Sequence, residues 1–80
     1  MTKTEARRTI KEVMATTFEI DPDEIEDTTT QKDIATWSSL AHLRLITNLE
    51  QALGVRFTMK EAAALTSFAE IEKAVQSQNA

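Results

Sequence analysis

Two serines stand at the point where an acidic, irregular stretch gives way to an amphipathic segment, in Trp37-Ser38-Ser39-Leu40-Ala41-His42. A hydroxyl at such a boundary can serve as a nucleophile, a helix cap or an attachment point for another group. His42 follows Ser39 by one helical turn, the separation that would pair a serine nucleophile with a histidine base. The rest of that chemistry is missing. No Gly-x-Ser-x-Gly elbow occurs in a chain whose single glycine is Gly54, and a serine on a helix surface has no oxyanion donors. No catalytic residue is therefore expected, and His42 reads as a half-buried ring that finds a hydrogen bond. The acids Asp21, Asp23 and Asp27 imitate the start of a calcium loop. Its sixth position is Glu26 where glycine is required and its twelfth is Lys32 where a bidentate glutamate belongs, so it fails as an EF-hand. With no cysteine there is no thiolate ligand and no disulfide framework, and no metal site is expected.

The elements that must hold Ser39 follow from periodicity. Ala6, Ile10, Val13, Met14 and Phe18 recur at three and four residues, which predicts a first helix from about Thr4 to Phe18. From Glu19 to Ser38 the period fades, and a connection of that length in a small domain is commonly functional or partly structured. Within it, Asp21-Pro22-Asp23-Glu24-Ile25 suits a short helical turn, with proline at the first position and acids in the first turn. Ile20, Ile25, Ile34 and Trp37 can anchor the loop to the core.

A second helix should open at Ser38 or Ser39 and stop at Gly54, which suits a left-handed terminal position. Winding this segment at about 100° per residue sets Leu45, Leu49, Leu53, Ile46 and His42 inward and Leu40, Arg44, Thr47, Asn48 and Gln51 outward. Thr58-Met59-Lys60-Glu61 is a capping-box pattern for a brief third helix through Leu65, and Ser67-Phe68-Ala69-Glu70 repeats it for a fourth. The expected tail from 77 to 80 is frayed. The fold class is all-α, a four-helix bundle with a long loop after the first helix and a short third helix, in one domain spanning residues 1–80.

Size and charge narrow the function classes. Eighty residues bury roughly 60% of the surface of the unfolded chain, too little to fill a core and also wall off a deep cleft. No apolar run approaches the length of a membrane span and no signal-peptide core follows Met1, so a cytoplasmic protein without membrane contact is expected. The net charge of −4 is local: Glu19, Asp21, Asp23, Glu24, Glu26 and Asp27 place six of thirteen acids in one loop, leaving seven acids against nine bases elsewhere. Such a loop disfavours nucleic acid, and neither the second nor the fourth helix is basic enough to read DNA.

From Phe18 to the Leu65-Thr66-Ser67-Phe68 helix start, with Trp37-Ser38-Ser39-Leu40 and Leu49-Glu50-Gln51-Ala52-Leu53-Gly54 between, the chain resembles the acyl carrier proteins. Trp37 and His42 make it similar to stand-alone carriers outside housekeeping fatty-acid synthesis. The resemblance implies a 4′-phosphopantetheine arm attached to Ser39, with Ser38 as the less favoured flanking serine. It implies a phosphopantetheinyl transferase, an acyl- or aminoacyl-loading ligase and downstream synthase or transferase enzymes as partners of a monomer. Leu40, Ala41, Arg44 and Trp37 are then expected at the partner surface and His42 at the cargo entrance. The chain departs from the family at Ser38, where aspartate is usual, and on the outer face of the second helix, where Arg44 stands in place of an acidic surface. A carrier-fold interaction module without the arm is the alternative that the Ser38 departure leaves open.

Overall fold

The computed structural model describes residues 2–79, and within them are four helices, of which the first, second and fourth pack around one apolar cluster while the short third has no buried residue. Helix α1 (Lys3–Phe18) begins where the Thr2 side chain accepts the Glu5 amide proton, satisfying one of the free N–H groups of the first turn. Its stripe of Ala6, Ile10, Met14, Ala15 and Phe18 is buried against α2 (Ser39–Leu53) and α4 (Phe68–Asn79). It ends at Glu19, which takes the left-handed conformation at φ 59°, and the Ile20 N–H turns back to the Ala15 carbonyl.

The long connection is more ordered than its lost periodicity predicts. Pro22–Glu24 forms the expected single 3₁₀ turn, with Asp21 and Glu24 capping each other's backbone. A second 3₁₀ turn at Gln31–Asp33 was not anticipated; the Asp33 carboxylate accepts the Thr30 N–H. Between the turns, the loop pairs with the start of α4. The Phe68 N–H donates to the Thr29 carbonyl and the Gln31 N–H to the Thr66 carbonyl, an antiparallel bridge centred on Thr30 and Ser67. The Thr36 hydroxyl donates to the Phe18 carbonyl at the end of α1. Ile25, Ile34 and Trp37 drive their side chains into the core between these ties.

Gly54 closes α2 in the left-handed region at φ 66°, as its position predicts. Thr58 and Glu61 form the capping box of the short α3 (Met59–Ala64). Helix α4 runs through Asn79, where a frayed tail from 77 to 80 was expected, and Gln78 exchanges hydrogen bonds with the backbone of Arg56. Ala80 lies outside the described residues. No described helix is long and apolar enough to cross a membrane.

Candidate functional site

Ser38 and Ser39 have different work. Ser38 is extended (φ −83°, ψ 175°) and caps α2: its Oγ accepts the Ala41 N–H at 3.2 Å and its carbonyl accepts the His42 N–H at 2.9 Å. Its own N–H donates to the Thr36 carbonyl. Ser39 is the first helical residue, is exposed, and its hydroxyl has no hydrogen-bond partner among the described residues. Four amides at a helix start lack intrahelical acceptors. Ser38 and Ala41 spend theirs as above, which leaves those of Ser39 and Leu40 free to meet an anion. A phosphodiester on the Ser39 hydroxyl therefore fits this position: free donors and the positive end of the helix dipole favour it by about 0.3–1 kcal/mol.

Behind Ser39 runs a chain of ring contacts. The Trp37 indole stacks on Phe18, with ring centroids 4.6 Å apart, and its Nε1–H donates to His42 Nδ1 at 3.0 Å. His42 Nε2 lies 2.8 Å from the Ala62 carbonyl. Since an indole N–H only donates and a carbonyl only accepts, both contacts are satisfied together when the proton sits on Nε2. Both ring nitrogens are thereby occupied, and His42 is not poised to take a proton from a serine. The loop, α2 and α3 are joined through one imidazole.

Two residues expected at the partner surface need correction, although Trp37 was also expected as an anchor of the loop and fills that place. Trp37 is 4% exposed and Ala41 9% exposed. The indole is withdrawn because its flat face completes the core against Phe18 and its one polar group finds a partner inside. Ala41 lies on the inner face of α2, one turn before Leu45. Neither presents its side chain to a partner. Leu40 and Arg44 do stand on the outer face, both exposed.

Sequence reasoning missed Leu43 and Met59, which are exposed and share a groove with His42. Leu43 lies one turn beyond Ser39 and so on the same face, a signal that helical winding carries. Met59 holds the first position after the Thr58 cap. With His42, Ile46, Phe57 and Ala62, they line a groove of about 430 Å³ between α2 and α3. The acidic loop proves partly structural: Asp21 and Glu24 cap a turn, and Asp27 pairs with Arg7. Among the described residues, no three His, Asp or Glu side chains converge as a metal site.

These features lie within a span that comparison with known families identifies. Residues 8–75 match the family described as the phosphopantetheine attachment site. No curated protein matches the chain. The match covers well over half of the sequence, so the chain belongs to the phosphopantetheine attachment-site family, whose carrier domains hold a covalently bound 4′-phosphopantetheine group.

Proposed function

We propose that this chain is an acyl or aminoacyl carrier whose arm is attached through the Ser39 Oγ, and that it catalyses no reaction itself. The observation that carries the choice of serine is the division of labour at the start of α2. The Ser38 hydroxyl is engaged as the cap while the Ser39 hydroxyl is exposed and unengaged. Attachment would form an ester bond from Ser39 Oγ to phosphorus and break the diphosphate bond of coenzyme A, the electron pair of that bond leaving with adenosine 3′,5′-bisphosphate and the hydroxyl proton passing to the transferase. The arm supplies a terminal thiol that holds cargo as a thioester. The chain's own residues hold and present it. Ser38 keeps the helix start in place, and the free amides of Ser39 and Leu40 would be the donors for the phosphodiester. His42 lines the groove proposed as the cargo entrance, and its bond to Ala62 must open before cargo passes inward.

The usual aspartate before the attachment serine is replaced by Ser38, yet the capping duty survives, because a hydroxyl accepts the Ala41 N–H as a carboxylate would. Tethering raises the effective concentration of a substrate at each enzyme without a binding pocket. The proposed partners are a phosphopantetheinyl transferase, a loading ligase and downstream synthase or transferase enzymes, met by a monomer in the cytoplasm without nucleic acid or membrane. Incubating the purified chain with coenzyme A and a broad-specificity phosphopantetheinyl transferase should raise the intact mass by one arm. No increment at completion, with a control carrier fully modified, would overturn the carrier reading in favour of an unmodified interaction module.

A further inference from the structure

The groove of about 430 Å³ between α2 and α3 has a lining of unequal chemistry. Leu43, Ile46, Phe57, Met59 and Ala63 make most of it apolar. Its neutral polar groups are already committed. The Thr47 hydroxyl donates to the Leu43 carbonyl, the Thr58 hydroxyl accepts the Glu61 N–H, and both His42 nitrogens are occupied. Glu50 is the one fully charged residue in the lining. One of its oxygens accepts the Phe57 N–H at 2.9 Å, and the other has no hydrogen-bond partner among the described residues. Glu50 is half-buried and belongs to neither ion pair of the described residues. Arg44, Arg56 and Lys60, the cations closest to it in sequence, are exposed and stand outside the lining.

A half-buried carboxylate with a free oxygen and no counter-ion acts on the charge of whatever enters beside it. It attracts an ammonium and repels a second carboxylate, and partial burial leaves both effects less screened than in open water. The distance fits as well. Glu50 follows Ser39 by eleven residues along α2, about 16 Å at the helical rise. An arm of roughly a dozen chain atoms spans about 15 Å at the spacing of an extended chain. An amino group on the carbon beside the cargo carbonyl therefore comes level with Glu50 while the rest of the cargo lies on the apolar lining.

We infer that this groove selects cargo by the sign of its charge: it takes an aminoacyl group with an aliphatic body and turns away an acyl group that bears a carboxylate, with Glu50 as the selecting residue. The inference rests on the carrier reading and narrows its cargo. An uncharged acyl group gives Glu50 nothing to read, so its entry depends on the apolar lining alone. The discrimination comes from repulsion of the anionic cargo as much as from attraction of the cationic one.

The test loads the isotope-labelled chain, through a phosphopantetheinyl transferase, with three arms whose cargo is joined by an amide in place of the thioester. All three share an isobutyl body and differ at the carbon beside the carbonyl, which bears an amino group (leucyl), only hydrogen, or a carboxylate. At about pH 6.5 the amino group is protonated and the cargo carboxylate ionised. Intact mass confirms each attachment. Amide chemical shifts of Ile46, Phe57 and Ala62, referred to the arm without cargo, measure how far each cargo occupies the groove. The equilibrium between groove and solvent should favour the leucyl arm over the carboxylate arm by roughly two- to fivefold, an advantage that salt reduces. Glu50→Gln keeps an acceptor for the Phe57 N–H and removes the charge. It should lower leucyl occupancy, raise that of the carboxylate arm and leave the uncharged arm and the melting temperature unchanged. Equal occupancy by the leucyl and carboxylate arms, a preference that persists in Glu50→Gln, or groove amides unmoved by every arm would overturn the inference. A missing mass increment ends the carrier reading itself, whereas full increments without charge discrimination end this inference alone.

Discussion

A single imidazole ties α2 to the long loop and to α3. His42 accepts from Trp37 and donates to the Ala62 carbonyl, so it carries a bond across two element boundaries. Trp37→Phe keeps a ring against Phe18 but removes the indole donor. Leaving the inward-facing Nδ1 without a partner should cost about 1–3 kcal/mol in urea unfolding. Long-range nitrogen–proton spectra of the imidazole offer a finer readout. The wild type should hold its proton on Nε2, and Trp37→Phe should show exchange between both nitrogens. A wild-type ring already divided between tautomers would contradict the contact chain. The same ring answers the serine–histidine hydrolase pairing that the spacing raises, because a base with both nitrogens occupied is not available to Ser39.

At the scale of elements, the helix ends were legible because their signals are local. Thr58 and Glu61 cap α3, and Gly54 ends α2 in the left-handed conformation that its lack of a Cβ permits. Gly54→Ala should cost about 1–2 kcal/mol through backbone strain alone, since a Cβ built there meets nothing within 4 Å. Denaturant midpoints measure this, and a far larger loss would mean that the side chain collides with the fold. The ties that fasten the long loop were not legible. The Thr30–Ser67 bridge joins residues remote in sequence through backbone groups, which leave no side-chain pattern. The Trp37–His42 contact crosses from loop to helix, where no period operates, and its far end is a carbonyl. Trp37 read both as a loop anchor and as a partner contact, and its stacking on Phe18, which only the folded chain sets beside it, realises the anchor.

The whole molecule is held at one edge by Arg7, which binds Asp27 of the loop and Glu72 of α4 from its place on α1. Hydrogen bonds from the guanidinium to Asp27 and then Glu72 raise its pKa above the ordinary arginine value. A cation whose pKa rises on folding contributes stability at every pH below its unfolded value and loses it only as pH climbs through the folded one. Both lie far above neutrality, so the melting difference between wild type and Arg7→Gln should stay flat from about pH 6 to about pH 9. Added salt should shrink it, because the network is partly open to solvent. A difference that varies strongly across that pH range, or ignores salt, would contradict the role assigned to Arg7. This network also pairs one acid of the loop, Asp27, with a cation of α1.

The central claim is that Ser39, and not its capping neighbour, bears the arm. Transferase treatment of Ser39→Ala and Ser38→Ala, followed by intact mass and fragment sequencing of the modified peptide, tests it most directly. Ser39→Ala should gain no mass. Ser38→Ala should still gain one arm on Ser39, while losing about 0.5–2 kcal/mol of stability with its cap. An increment that survives in Ser39→Ala and vanishes in Ser38→Ala would contradict the account.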